Sequence, residues 1–199
     1  MRGMRLPWSM TLTFALGIAI AALGLIGNRG PASQALAGDK PAKTAATSLN
    51  LPGVCAIEAP GEGFVWKEVN KVQRGGVGGR ICVCGKEGSA ARINLMILET
   101  PIDGDAKRLA LLKSQWDGLV TSLKRDGFEN ISGRKPNTQA PIGSRVAFAV
   151  TATDPEGQTI HFQAVTIFGA KSVFHFQALA ASDENAARLI KTVDTLKEM

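Results

Sequence analysis

Asp103-Gly104-Asp105-Ala106-Lys107-Arg108-Leu109-Ala110-Leu111-Leu112-Lys113-Ser114-Gln115-Trp116-Asp117-Gly118-Leu119-Val120-Thr121-Ser122-Leu123-Lys124-Arg125-Asp126-Gly127 is the stretch that decides the fold. Leu109, Leu112, Trp116, Leu119, Val120 and Leu123 recur at spacings of three and four, while Lys107, Arg108, Lys113, Asp117, Lys124 and Arg125 fall between them. That pattern is a helix with one apolar stripe and a charged back. Asp103 or Asp105 offers an oxygen to the unpaired N–H groups of the first turn, and Asp126-Gly127 supplies a residue that tolerates the left-handed conformation at the end. The stripe, Trp116 included, needs an apolar sheet to lie on.

Strand-like segments stand on both sides of it. Before the helix, Phe64–Val69, Arg80–Cys84 and Ala91–Glu99 read as a meander, with Gly75–Gly79 and Gly85–Ser89 as its turns. Phe128 to Ala140 is a polar connection. Arg145–Thr153 and Thr159–Phe168 form a hairpin around Asp154-Pro155-Glu156-Gly157, where Pro pre-sets one dihedral and Gly relieves the next. Gly169-Ala170-Lys171 leads into Ser172–Ala180, and Ser182 caps a second helix with Ala186, Leu189, Ile190, Val193 and Leu196 on one stripe. Strands joined by short turns are antiparallel, and two amphipathic helices must cover sheet faces. The expected fold class is α+β: an antiparallel sheet of about six strands covered by two amphipathic helices in β3-α-β3-α order, over residues 53–199.

The residues ahead of this domain address it. Arg2 and Arg5 precede an apolar run from Met10 to Ile26, and Ala35-Leu36-Ala37 has the small-x-small form of a cleavage site before Gly38. Residues 1–37 therefore read as a signal peptide or, uncleaved, as a membrane anchor through residues 6–27. Residues 38–52, rich in Ala, Thr, Ser and Pro, read as a flexible linker. The expected location is extracytoplasmic, periplasmic or secreted. Removing Arg2, Arg5 and Arg29 from the 23 basic residues leaves 20 against 17 acidic ones, spread through loops and helix backs. Nothing there resembles the basic cluster with exposed aromatics that nucleic acid requires.

Phe64-x-Trp66 near the start, Ile93-x-Leu95 feeding the long helix, and a closing helix near residue 199 give an order that resembles the PsbP/Mog1-like fold over about residues 55–199. The resemblance implies an antiparallel sheet between helices and a non-catalytic role in binding or assembly, since known members include partners of photosystem II and of a nuclear transport GTPase. It carries over no functional residues.

Few groups are suited to chemistry. Cys82 and Cys84 alternate on one strand, with Cα atoms roughly 6.5–7 Å apart by strand rise, at the edge of disulfide reach. Outside the cytoplasm, the expectation is one disulfide from Cys55 to Cys82 or Cys84 and one remaining thiol. The alternative is a thiol redox or soft-metal site in which Cys55, Cys82 and Cys84 hold Cu(I) or Zn(II); no second Cys pair or nearby His completes such a ligand set. The pairing of Phe168 with Ser172 predicts His161, Gln163, His175 and Gln177 as a polar strip on one sheet face, with Gln163 opposite Gln177, and hence a binding surface. Gly75–Gly79 is no phosphate loop, because no Lys-Ser/Thr and no helix follows; Lys71, Arg74 and Arg80 make its surroundings anion-friendly. Asp103 and Asp105 are explained by capping, and no nucleophile elbow is present, so no catalytic residue, metal or cofactor is assigned. The sequence predicts an exported, non-catalytic binding or assembly protein of the cell envelope. Its expected partner is a protein or another envelope component, with the membrane added if the leader stays attached.

Overall fold

The computed structural model describes residues 47–74, 77–133, 135 and 144–199. The leader 1–37 and most of the linker lie outside the described residues, as do parts of the glycine loop and of the 128–140 connection. Among the described residues no helix is long and apolar enough to cross a membrane.

The fold is α+β. Its strands are β1 (Ser48–Leu51), β2 (Cys55–Glu58), β3 (Phe64–Arg74), β4 (Val77–Lys86), β5 (Arg92–Leu98), β6 (Glu129–Gly133), β7 (Arg145–Thr153), β8 (Thr159–Phe168), β9 (Val173–Ala180) and β10 (Lys197–Glu198). The helices are α1 (Asp105–Arg125) and α2 (Asp183–Ile190), the latter followed by a 3-10 turn at Lys191–Thr195. Seven strands form one antiparallel sheet in the order β3-β4-β5-β9-β8-β7-β6, and β1-β2-β10 form a second, smaller one. The large sheet is thus one strand wider than the sequence pattern suggests, because the supposed connection after α1 contributes β6 as an edge. The small sheet is wholly additional, and β1 lies within the stretch read as linker. Leu49 and Leu51 point inward from it, alternating with exposed Ser48 and Asn50. A four-residue strand is too short for that alternation to stand out in an Ala/Thr-rich context.

Each face of the large sheet has its own core. On one face, α2, the 3-10 turn and the small sheet bury Cys55, Ile57, Trp66, Cys82, Cys84, Ile93, Leu95, Phe174 and Phe176 in one apolar cluster with Ala186 and Val193. On the other, α1 spans two separate clusters. Leu111 and Leu112 pack with Ile81, Met96, Leu98, Phe168 and Val173, whereas Leu119 and Leu123 pack with Phe148, Val150, Ile160 and Phe162.

Helix ends illustrate what local sequence decides. Ser182 caps α2 as expected, accepting from the Asn185 N–H at 3.3 Å. α2 then stops at Ile190, so Val193 belongs to the 3-10 turn and Leu196 lies beyond it. At α1 neither aspartate caps: the N-cap is Gly104 at φ 86, with no side-chain bond. Its carbonyl takes the N–H groups of Lys107 and Arg108, both at 3.1 Å. The buried arc of α1 is also rotated from the predicted stripe: it comprises Leu111, Leu112, Gln115, Leu119, Ser122 and Leu123. Leu109, Trp116 and Val120 are only half-buried. Of the two polar residues in that arc, Gln115 accepts from Thr166 of the sheet beneath at 2.9 Å.

Candidate functional site

The three cysteines meet in the apolar core, not at a surface. Cys82 and Cys84 project from one face of β4, pairing across β3 with Glu68 and Trp66, and Cys55 lies on β2 above them. All three are fully buried free thiols, so the expected disulfide is absent. Burial pushes the Cys55 thiol up to about 11, against an opposing pull from Arg80. The same desolvation pushes Cys84 up to about 12 and raises Cys82, which also faces Glu68 and Cys55. Such thiols are poor nucleophiles, because the thiolate is the reactive form. Among the described residues, no three His, Cys, Asp or Glu side chains are grouped to hold a metal ion. Arg80, part of the expected anion-friendly tip, is occupied by Glu68 at 3.2 Å and by Glu99.

The predicted His/Gln strip is divided. β8 and β9 pair one residue away from the expected register: Phe168 faces Val173, Gln163 faces Ala178 and Gln177 faces Ala164. A slip of one moves every side chain of one strand to the other face. His161 and Gln163 therefore stand on the α2 face, where Gln163 Nε2 donates to Asp183 Oδ1 at 3.0 Å. His175 and Gln177 stand under α1, both buried. The slip has a visible cause. The turn is four residues long, Gly169 to Ser172, and the Glu198 carboxylate accepts the N–H groups of Ala170, Lys171 and Ser172 at 2.8–2.9 Å. No local pattern announces a contact from β10.

Beneath α1, the two apolar clusters are separated by a buried polar belt. Thr166 Oγ1 donates to Gln115 Oε1 at 2.9 Å and lies 2.9 Å from His175 Nδ1. The hydroxyl has one proton, and that proton goes to the Gln115 carbonyl oxygen. Thr166 must then accept from His175 Nδ1–H, which fixes the tautomer and leaves Nε2 as a bare acceptor. Phe148 stacks on the ring at 6.1 Å, and burial lowers the His175 pKa to about 4, so the imidazole is neutral at pH 7. Four buried atoms of this belt have no partner: Asn94 Oδ1, Gln115 Nε2, His175 Nε2 and Gln177 Nε2. Two accept and two donate. Buried polar groups are normally satisfied by protein or by ordered water, so this layer holds hydrogen-bonding capacity that the protein groups around it do not use.

Asn94, Gln115 and Thr166 were missed by sequence reading. Asn94 interrupts the apolar run Ile93–Leu98, and Gln115 sits four residues after Leu111 on the buried arc. Both are visible afterwards as polar residues at core positions, once the true helix face and strand register are known. No family model matches the chain, and no curated protein matches it.

Proposed function

We propose that this chain is an exported, non-catalytic binding or assembly protein of the cell envelope, and that the α1 face of its sheet does the binding. The observation that carries the reading is the belt of unpartnered donors and acceptors at Asn94, Gln115, His175 and Gln177. It offers hydrogen-bonding complementarity, and among the described residues no metal-ligand set lies beside it. His175 is neutral, hydrogen-bonded through Nδ1 and sealed by Phe148, which suits recognition better than proton transfer. The PsbP/Mog1-like resemblance points the same way, and the leader sequence supports the envelope location. The thiol alternative draws no support from three buried thiols with raised pKa values.

The test is the intact mass of the protein from its own host, with thiols blocked at lysis and soluble, envelope and cytoplasmic fractions kept apart. The expected species begins at Gly38 or retains the leader in the membrane fraction, and shows no bound metal. A full-length cytoplasmic chain would overturn the location, and stoichiometric metal or turnover by the purified protein would overturn the non-catalytic reading.

A further inference from the structure

One side chain of β10 ties the small sheet to the large one. β10 is the outer strand beside β2, with Lys197 against Ala56 and Glu198 against Cys55. Directly opposed residues of a ladder share a face. Cys55 points into the apolar cluster, so Glu198 points the same way, and its carboxylate reaches the turn between β8 and β9.

There the carboxylate is held by backbone alone. Oε2 accepts the Ala170 N–H at 2.8 Å, and Oε1 accepts those of Lys171 at 2.9 Å and Ser172 at 2.8 Å. Successive N–H groups turned toward one anion form a nest. Gly169 belongs to the fit, because a Cβ there would lie 2.7 Å from each oxygen. Two further bonds hold the same strand: the Met199 N–H donates to the Val54 carbonyl at 3.2 Å, and Lys171 Nζ donates to the Met199 carbonyl at 2.9 Å.

Apolar burial contributes little to this attachment. Lys197 and Met199 are exposed, Met199 at 39%, whereas α2 and the 3-10 turn bury Ala186, Leu189, Ile190 and Val193 nearby. A segment with few buried apolar contacts opens locally at low cost. The hold on β10 is therefore concentrated in one carboxylate, whose charge-assisted bonds are the strong kind. Beside that carboxylate lies the buried Cys55 thiol, pushed up to about 11 chiefly by burial, with Arg80 lowering it and Glu198 raising it. Cys84, on β4 of the large sheet, is raised by burial alone.

We propose that β10 is a strap latched by Glu198, and that withdrawing this carboxylate from the nest opens the molecule at Cys55 while Cys84 stays sealed. This goes beyond the binding reading of the α1 face and does not depend on it. Lifting the strap relieves Cys55 of burial and of the neighbouring carboxylate together, so its thiol is reactive in the open state and inert in the closed one.

Pulsed labelling of the folded full chain with N-ethylmaleimide, read cysteine by cysteine from peptide masses, tests it together with amide exchange at residues 170–172. When opening and closing are fast relative to labelling, the rate follows the open population. Glu198→Ala should raise Cys55 labelling about tenfold or more over wild type, leave Cys84 unchanged and strip protection from the three amides. Glu198→Gln keeps the length and one acceptor oxygen, and should fall between the two. If Glu198→Ala does not fold, the glutamine variant carries the same comparison. Cys55 labelling equal to wild type in Glu198→Ala, or in Glu198→Gln, would overturn the latch. Cys55 and Cys84 gaining reactivity together would show that the core opens as one body, which overturns the strap as a local device.

Discussion

The two faces of the large sheet are built from the same strands and covered by one helix each, yet they solve burial differently. Under α2 and the small sheet lies a continuous apolar cluster in which even the polarizable groups are thiols. Under α1, apolar packing is divided by Gln115, Thr166, His175, Gln177 and Asn94. The first arrangement maximises area removed from water, at about 25 cal/mol per Å² of apolar surface. The second accepts polar desolvation, of about 1–3 kcal/mol for each group left unmade. A protein that needed only stability would have two faces like the first. The proposed reading places stability on the α2 face and recognition on the α1 face.

Removing an anchor from the apolar face should have the largest effect. Trp66 is buried among Cys84 and its cluster, and its Nε1 donates to the Glu58 carbonyl at 3.2 Å. Trp66→Ala should cost roughly 3–5 kcal/mol by denaturant unfolding, and a loss under about 1 kcal/mol would break the comparison at its stable side. Trp116, half-buried and edge-on to Phe148 at 5.5 Å, should cost less on the same change.

The pH dependence of stability reads the other face. His175 falls from 6.5 in the ordinary state to about 4 in the fold. The unfolded chain therefore takes up its proton first as pH drops. Its contribution is fully present above about pH 6.5 and is lost as pH falls toward 4, by roughly 3 kcal/mol at most. His175→Gln removes the titration and should flatten that part of the profile. An unchanged profile would mean that water reaches the ring.

Smaller effects sharpen the contrast. Cys82→Ser places a hydroxyl in the apolar cluster and should cost about 1–3 kcal/mol, with no gain in reactivity toward thiol reagents at the remaining two cysteines. Gln115→Met removes an orphan donor, and the Thr166 hydroxyl can turn to His175 Nδ1 as the imidazole exchanges tautomers. The expected change is within about 1 kcal/mol, measured by the same unfolding curves. A cost of about 3 kcal/mol would show that Gln115 Nε2 is satisfied by an ordered water, and the belt would then be structural.

Much of the architecture was legible because its signals are local. The apolar period of α1, the Asp154–Gly157 turn and the Ser182 cap each depend on residues within one or two turns of chain, and strands β7 and β8 have the ends that the pattern sets. The polar strip was not legible, for a specific reason. Alternation fixes register when one face is wet and the other dry. Here both faces of β8 and β9 are covered, and β9 is buried at every position. The apolar pattern, in which a slip of one residue mixes Phe with Gln, argues for the register that places Gln163 opposite Gln177, and the structure adopts the other.

By itself, then, the sequence determined the α+β class, the long helix and the hairpin, all of which follow from period and turn chemistry. Tertiary structure alone decided the register of β8 against β9, because the Glu198 carboxylate holds a four-residue turn from 26–28 residues away. It likewise decided that the cysteines are sealed thiols, because β2 and α2 close over them, and that Asn94, Gln115, Thr166, His175 and Gln177 share one layer. Contacts between distant strands depend on which surfaces compete for burial, and that competition is settled only when the whole chain packs.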